Sequence, residues 1–344
     1  MRETALLAWY AEAHRRLPWR TEVSAYRTLV SELMCQQTRV ETVLPYFERF
    51  MDAFPTVEAL ADAPTEAVLT RWAGLGYYSR ARNLQRAAQA VVAGGGFPRT
   101  VAGLRALPGV GPYTAGAIAS IVFGADEPVV DGNVERVLSR WYAQELPTVR
   151  WSWERARAVL APGRAGEWNQ ALMELGARVC TPRAPRCGGC PVATGCLGRD
   201  SPERYPGVKL KKAVPRRRAV AACVLDDGRV LLVRRPEGGR LGGLWELPGA
   251  ELDDHVQPDA NALVAALRAR LGLAAVVGAP LGTVAHTFSH LHLDTTVFAA
   301  SLQSKPGSVA SDALRWVHPA QADDLPLSTL ARKTLGVCPG WAAR

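Results

Sequence analysis

The hydrophobic pattern of this chain changes period once, after Arg218, and that change limits the fold to two unlike parts. Before residue 200 apolar residues recur at helical spacing in segment after segment, and no strand signal appears. After Arg218 the apolar runs 219–225 and 229–235 flank Asp226-Asp227-Gly228, the signature of a hairpin. With 344 residues, 48% of them apolar, each part can bury its own core. The expected fold is multidomain: an all-α part, then an α+β part of on the order of 125 residues.

Helices are predicted over 1–20 and 25–38, then near 40–52, 56–62, 64–73, 79–93 and 100–106, with Phe54-Pro55, Ala63-Pro64 and Phe97-Pro98 as breaks. The pattern continues over 114–123, 133–142, 151–161 and 167–180. Residues 199–218 read as a linker, and positions 209–218 hold six basic residues and no acid. Such a stretch serves as a solvated tether and equally as a strap along DNA phosphate. In the second part a helix is predicted at 259–271, and strands at 281–288 and 292–300 flank Ser289-His290.

A net charge of +9 points to a polyanionic partner and says nothing about fold. The positive charge is mostly arginine. Chemistry needing a lysine amine has only Lys209, Lys211, Lys212, Lys305 and Lys333 to draw on. The first 20 residues read as an amphipathic helix rather than a secretory signal, and no apolar run approaches a membrane span, so a cytoplasmic protein is expected.

The stretch 107–137 holds the densest chemistry. Leu107-Pro108-Gly109-Val110-Gly111 is a tight turn whose glycines let a backbone come close. The helix after it points free N–H groups outward, which suits a phosphate. At its far end Val129-Val130 delivers Asp131, followed by Gly132-Asn133, to the start of another helix. On spacing alone Asp131 reads as a helix cap. Glu32 sits one position off the apolar stripe Leu29, Val30, Leu33 and Met34, where spacing alone makes it a solvated acid and Gln36 and Gln37 surface amides. Between two helices Gly74-Leu75-Gly76-Tyr77-Tyr78-Ser79-Arg80 places aromatics beside arginine, which suits base stacking and phosphate contact as well as a plain core.

Cys180-x6-Cys187-x2-Cys190-x5-Cys196 lies in a Pro/Gly-rich loop. Four thiols this close favour a metal centre over disulfides in a cytosolic chain, and either zinc or an iron–sulfur cluster is compatible.

Taken together these residues resemble the helix–hairpin–helix DNA glycosylases related to endonuclease III, with residues 107–119 as the hairpin, Asp131 as the catalytic acid and the four cysteines as a [4Fe–4S] loop. Over the whole chain the resemblance is to the MutY family of adenine glycosylases. Ser31-Glu32-Leu33-Met34-Cys35-Gln36-Gln37-Thr38 matches its helix, with Cys35 where an aliphatic residue is usual, and GLGYYSRARNL and WNQALMELGARVC also match. Gly243-Leu244-Trp245-Glu246-Leu247-Pro248-Gly249 resembles a Nudix-like fold, and Phe288-Ser289-His290 matches the loop that reads 8-oxoguanine. The helix at 261–271 has no acid to hold Mg²⁺, so pyrophosphatase activity is not expected.

The resemblance implies a glycosylase over 1–199, with a helical barrel at about 22–126 inserted in an iron–sulfur part formed by 1–21 and 127–199. A linker at 200–217 and a Nudix-like domain at 218–344 follow. It implies hydrolysis of adenine opposite 8-oxoguanine or G in double-stranded DNA, with a mismatch thymine or uracil glycosylase as the alternative. Glu32 would protonate the base and Asp131 would attend the sugar, with Tyr113, Asn133 and Glu174 in support. Tyr113 stands where lyase-competent relatives carry lysine, so little or no strand cleavage is expected. Glu135 replaces a lysine found in some relatives. Arg20, Gln37, Thr38, Tyr77, Arg80, Gly109, Val110 and Gly111 would contact DNA, and Gln37 and Tyr77 would wedge into the stack. One [4Fe–4S] cluster on Cys180, Cys187, Cys190 and Cys196, and a monovalent cation at the hairpin, are the implied cofactors. A monomer on bacterial nucleoid DNA, with replication or repair proteins as further partners, completes the expectation.

Overall fold

The computed structural model describes residues 2–208, 213–304 and 313–341. Lys209, Lys211 and Lys212 of the basic stretch, and Lys305, lie outside the described residues. The chain divides into two units, Met1–Asp62 with Asn83–Leu210, and Ala63–Arg82 with Lys211–Arg344.

The helices of the first part follow in chain order: α1 (Arg2–Ala13), α2 (Pro18–Thr21), α3 (Ala25–Cys35), α4 (Val40–Ala53), α5 (Val57–Asp62), α6 (Thr65–Trp72), α7 (Ser79–Ala93), α8 (Val101–Arg105), α9 (Pro112–Ile121), α10 (Gly132–Trp141), α11 (Val149–Ala158) and α12 (Ala165–Arg178). The single helix predicted over 1–20 is two. Leu17 is extended, and Pro18 starts α2 at the position where its missing N–H costs nothing. Ser24 caps α3 by accepting from the Arg27 amide at 3.1 Å. The helix ends at Cys35 rather than 38, because Gln37 turns into a left-handed conformation with φ 56°.

Helices α8 and α9 form the hairpin. Gly109 has φ +76°, and a Cβ there would lie 2.6 Å from the Asn83 side chain, so the turn is closed to larger residues. Leu6 and Leu7 of α1, Val134, Leu138 and Trp141 of α10, and Trp168 and Leu172 of α12 share one buried core. That core fixes α10 and α12, whose N-terminal and central turns carry site residues.

The second unit contains α6, the glycine turn after it, the start of α7 and a seven-stranded sheet. The strands are β1 (Arg216–Asp226), β2 (Arg229–Arg234), β3 (Trp245–Glu246), β4 (Gly249–Leu252), β5 (Ala275–Phe288), β6 (Leu291–Leu302) and β7 (Leu314–Val317). Their order is β3-β2-β1-β6-β5, with β4 also on β1 and β7 on β2. The hairpin predicted around Asp226-Asp227-Gly228 is β1–β2. The parallel pairing of β1 with β6 has no mark in the sequence. Alternate residues of β1 enter opposite cores: Ala221 and Cys223 pack toward Leu335 of α14 (Thr329–Leu335), and Val220, Ala222 and Val224 toward Leu263 and Leu267 of α13 (Ala260–Leu271).

Residues 63–82, helical as expected, make contacts that group them with this sheet. The reason is specific: Glu66 accepts from Trp245 Nε1 at 3.1 Å and Arg315 Nη1 at 3.0 Å, and Arg82 donates to the Gly242 carbonyl at 2.6 Å.

Candidate active site

A cavity of about 860 Å³ opens in the first unit and is lined by Glu32, Tyr113, Asp131, Asn133, Arg20 and Glu174, among others. Four loci distant in sequence converge here. Glu32 projects from α3, Tyr113 from the first turn of α9, Asp131 and Asn133 from the start of α10, and Glu174 from α12.

The two reactive carboxyls differ in their surroundings. Burial pushes the Glu32 carboxyl up to about 7, opposed by the Tyr113 hydroxyl and the Arg20 charge and helped by the Asp131 charge. Asp131 is also raised by burial, but hydrogen bonds oppose the rise. Its Oδ1 accepts from the Val134 amide at 2.7 Å and its Oδ2 from Asn133 Nδ2 at 2.8 Å. Those donors, and the positive end of α10, favour the carboxylate. The helix-cap reading of Asp131 is therefore correct, and the cap's donors work against burial in favour of the carboxylate at the cavity wall. Of two neighbouring carboxyls, the capped one ionises first and the other keeps its proton.

Glu174 is placed differently. Its side chain has no exposure and forms ion pairs with Arg15 Nε at 2.8 Å and Arg20 Nη1 at 3.0 Å. Burial raises its pKa, but the Arg15 hydrogen bond and the two guanidinium charges outweigh burial and hold it below the ordinary carboxylate range. It anchors Arg15 and Arg20 and has no proton to exchange near neutral pH. The expectation that Glu174 assists catalysis is corrected to this anchoring role.

Several positioning contacts lie beyond the expected site residues, though Asn169, Met173 and Gly176 belong to the matching stretch WNQALMELGARVC. Asn169, buried on α12, donates to Ser120 Oγ at 2.9 Å and the Glu127 carbonyl at 2.8 Å, and accepts from the Val129 amide at 3.3 Å. It thereby fixes the segment that delivers Asp131. Gly176 lets Asn133 approach α12, since a Cβ there would fall 2.6 Å from Asn133 Cβ. Arg136 donates to Asn133 Oδ1 at 2.8 Å, and Tyr113 Oη donates to Met173 Sδ at 3.1 Å.

The expected DNA contacts separate into three groups. Arg20, Gln37 and Thr38 line the cavity, and Gln37 is exposed in its left-handed turn. At the hairpin, Gly109 and Gly111 are exposed, and a side chain at Gly111 would meet nothing. The Val110 amide, expected at a phosphate, is spent on the Leu107 carbonyl at 3.1 Å, and Pro112 has none. The donors left at this end of α9 are the first-turn amides, which lack intrahelical acceptors. In the second unit Tyr77 is 41% exposed with φ 47°. Arg80, expected at phosphate, is only 7% exposed. Its guanidinium donates to the Leu75 and Gly76 carbonyls at 3.3 Å and lies 5.2 Å from the Tyr77 ring. Arg80 shapes the turn that presents Tyr77 and does not reach out to a phosphate.

Cys180, Cys187, Cys190 and Cys196 line one small pocket of about 20 Å³ with Arg140, which donates to Cys180 Sγ at 3.2 Å. Burial raises the thiols of Cys190 and Cys196, and thiolates of their neighbours would raise them further. Cys190 and Cys196 thus favour the neutral thiol unless a positive charge lies beside them. Among the described residues no three His, Cys, Asp or Glu side chains are arranged around one metal ion.

Phe288, Ser289 and His290 form the β5–β6 turn. Ser289 Oγ lies 3.3 Å from His290 Nδ1, and Arg240 stacks over Phe288 at 4.9 Å. The same unit holds a cavity of about 330 Å³ walled by Arg235, Arg240, Arg270, Glu246 and Glu251.

An all-α unit with a hairpin and two unlike carboxyls at one cavity, in a chain that also carries a Nudix-like sheet, defines a base-excision DNA glycosylase with an added Nudix-like domain. Residues 30–152 match the HhH-GPD superfamily of base excision DNA repair proteins, and residues 219–336 match the NUDIX domain. The chain is 37% identical to the human adenine DNA glycosylase over 98% of its length and 73% of that protein's, and 38% identical to the mouse protein over 95% and 76%. The first unit's fold is also that of a thermostable thymine-DNA glycosylase (27% identity, TM-score 0.54, 58% of this chain and 96% of that one). An endonuclease III–DNA complex shares the fold at 22% identity and TM-score 0.52, over 59% of this chain and 96% of that one. The chain belongs to the adenine DNA glycosylase family, within the MutY group its sequence resembles. Among the described residues no helix is long and apolar enough to cross a membrane.

Proposed function

We propose that this enzyme hydrolyses the N-glycosidic bond of adenine paired with 8-oxoguanine or G, without strand cleavage. One observation carries the reading: Glu32 and Asp131 face the same cavity, Glu32 pushed up to about 7 by burial and Asp131 held by two hydrogen bonds that favour its carboxylate. The flipped adenine enters the cavity. Neutral Glu32 gives its proton to N7, the glycosidic bond breaks with its electron pair going to N9, and adenine leaves neutral. The Asp131 carboxylate stabilises the oxocarbenium-like sugar, as carboxylates do in glycoside hydrolysis. Water then attacks C1′ and its proton returns to Glu32. Asn133 and Tyr113 keep both acids in register.

Tyr113 offers no amine for a Schiff base, which is why hydrolysis without lyase chemistry is proposed. Ser289 is proposed to read 8-oxoguanine: a hydroxyl both donates and accepts, and 8-oxoguanine adds an N7 donor and an O8 acceptor to guanine. Cys180, Cys187, Cys190 and Cys196 would hold a [4Fe–4S] cluster, supported by their shared pocket and the Arg140 contact. The cluster when bound would supply the charge that keeps four half-buried thiolates together. A monovalent cation at the hairpin turn is part of the same proposal.

Single-turnover base release on duplexes pairing A, T or U with 8-oxoguanine, G or C tests the reading. Release confined to adenine, fastest opposite 8-oxoguanine, with intact strands, is expected. Equal rates opposite 8-oxoguanine and C would sink the specificity, and strand breaks at the abasic product would sink the monofunctional part. An absorbance band near about 400 nm that disappears with iron chelation would report the cluster.

A further inference from the structure

Tyr113 has one hydroxyl proton and two neighbours that can accept it. Its oxygen lies 3.1 Å from Met173 Sδ, and its hydroxyl shares the cavity wall with the Glu32 carboxyl, whose charge it influences. A phenol donates once but also accepts. When Glu32 is ionised, the charge-assisted bond to the carboxylate takes the tyrosine proton. When Glu32 is neutral, its own proton points at the tyrosine oxygen, and the tyrosine O–H needs another acceptor. Tyr113 and Met173 both pack against the core of α1, α10 and α12, where an O–H without an acceptor is costly.

We propose that Met173 is a positioning residue for the acid step: its thioether holds the Tyr113 proton while Glu32 carries its own. The proposal rests on the reading of Glu32 as general acid. The protons balance. The Glu32 proton passes to adenine N7, the glycosidic electron pair goes to N9, and nothing is oxidised. The Tyr113 hydroxyl then rotates from Met173 Sδ to the new Glu32 carboxylate without losing its proton. Met173 thus favours the neutral acid before the reaction, and Tyr113 stabilises the carboxylate after it.

Charged and titratable groups facing Glu32 are Tyr113 on α9, Asp131 at the cap of α10 and Arg20 on α2. Farther round the cavity are Arg15, Cys35, Arg39, Glu41, Arg136 and Glu174. Exchanging the thioether for a hydrocarbon alters none of these charges, so a shift in the pH profile reports the acceptor itself.

The test is Met173→Leu, which keeps size and apolarity but removes the acceptor. Base release needs neutral Glu32 and declines as pH rises through about 7. In Met173→Leu the midpoint of that decline should fall by roughly half to one pH unit, slowing release about three- to tenfold near pH 8. The rate near pH 5 should stay within about twofold, and Met173→Gln, which restores an acceptor, should return the midpoint. In a Tyr113→Phe background Met173→Leu should move nothing. An unmoved midpoint in Met173→Leu, or an equal movement with and without the tyrosine hydroxyl, overturns the proposal. Glu32→Gln separates the two levels. If the decline survives in Glu32→Gln, the acid assignment falls and Met173 falls with it. If Glu32→Gln abolishes the decline while Met173→Leu leaves it in place, only the role of Met173 is wrong.

Discussion

Each unit has a cavity walled by acids and arginines, and the two treat their acids in opposite ways. In the sheet unit Glu246 is paired with Arg235 at 2.8 Å, and Glu251 with Arg240. In the helical unit Glu174 takes both Arg15 and Arg20. Among the described residues neither Glu32 nor Asp131 has an ion-pair partner there, although Arg15, Arg20, Arg39 and Arg136 all line that cavity. The difference locates the chemistry. A carboxylate neutralised by a guanidinium is stable and inert, whereas one left to burial and amide donors can hold or lose a proton near neutral pH. Glu174 contributes by occupying the arginines that would otherwise quench Glu32.

The largest effects should come from the unpaired acids. Glu32→Gln removes the proton donor and should slow single-turnover adenine release by about 10²–10⁴-fold, leaving a residual rate that no longer declines as pH rises through neutrality. Asp131→Asn should cost on the order of 10²–10³-fold. Asparagine caps a helix as well as aspartate, so melting temperature and DNA affinity should stay near wild type. Loss of folding with release per folded molecule intact would mean that Asp131 is only a cap.

Next comes the paired acid of the same cavity. Glu174→Gln leaves Arg15 and Arg20 without their carboxylate, and breaking a buried pair from one side costs about 3–5 kcal/mol. Denaturant unfolding should show that loss, and release should fall only as far as Arg20 becomes free to pull Glu32 toward its carboxylate form. A decline in release centred below pH 7 would be the signature.

A smaller effect appears in stability. The folded pKa of Glu32 lies above the unfolded value of 4.5, so the folded state prefers the neutral acid. That preference is fully expressed below about 4.5 and is lost as pH rises through about 7. Glu32→Gln, which never ionises, should therefore gain on wild type by roughly 1–3 kcal/mol between pH 4.5 and 8. Parallel stability curves would show that Glu32 is solvated rather than buried.

The amino-acid sequence alone carries much of this. The change of period after Arg218, the hairpin turn and the cysteine spacing are local patterns, and they place the two fold classes. Glu32, Tyr113 and Asp131 are reached through motif resemblance, because spacing alone favours a surface acid and a cap. The contacts that tune them are not legible. Tyr113 meets Met173 60 residues away, Glu174 meets Arg15 159 residues away, and Asn169 reaches back 49 residues to Ser120. Such pairs leave no periodic mark in either segment. The same holds for residues 63–82, whose helical pattern gives no hint that Glu66 accepts from a tryptophan of the sheet. Arg80 misleads for a related reason: an arginine beside tyrosines on a glycine turn reads as a phosphate contact until its carbonyl partners are seen.

The smallest effect tests the other side of the comparison. Glu246 accepts both bonds from Arg235 Nη1, at 2.8 and 2.9 Å, and lies in the sheet unit. If pairing makes an acid inert, Glu246→Gln should leave the rate of adenine release within about threefold and its pH dependence unchanged, because no proton of Glu246 takes part. The glutamine still accepts from Arg235, so the sheet should lose at most about 1–2 kcal/mol. A drop in release comparable with that of Glu32→Gln would break the rule outright: it would place a working acid under a guanidinium, and the contrast between the two cavities would no longer mark where the chemistry lies.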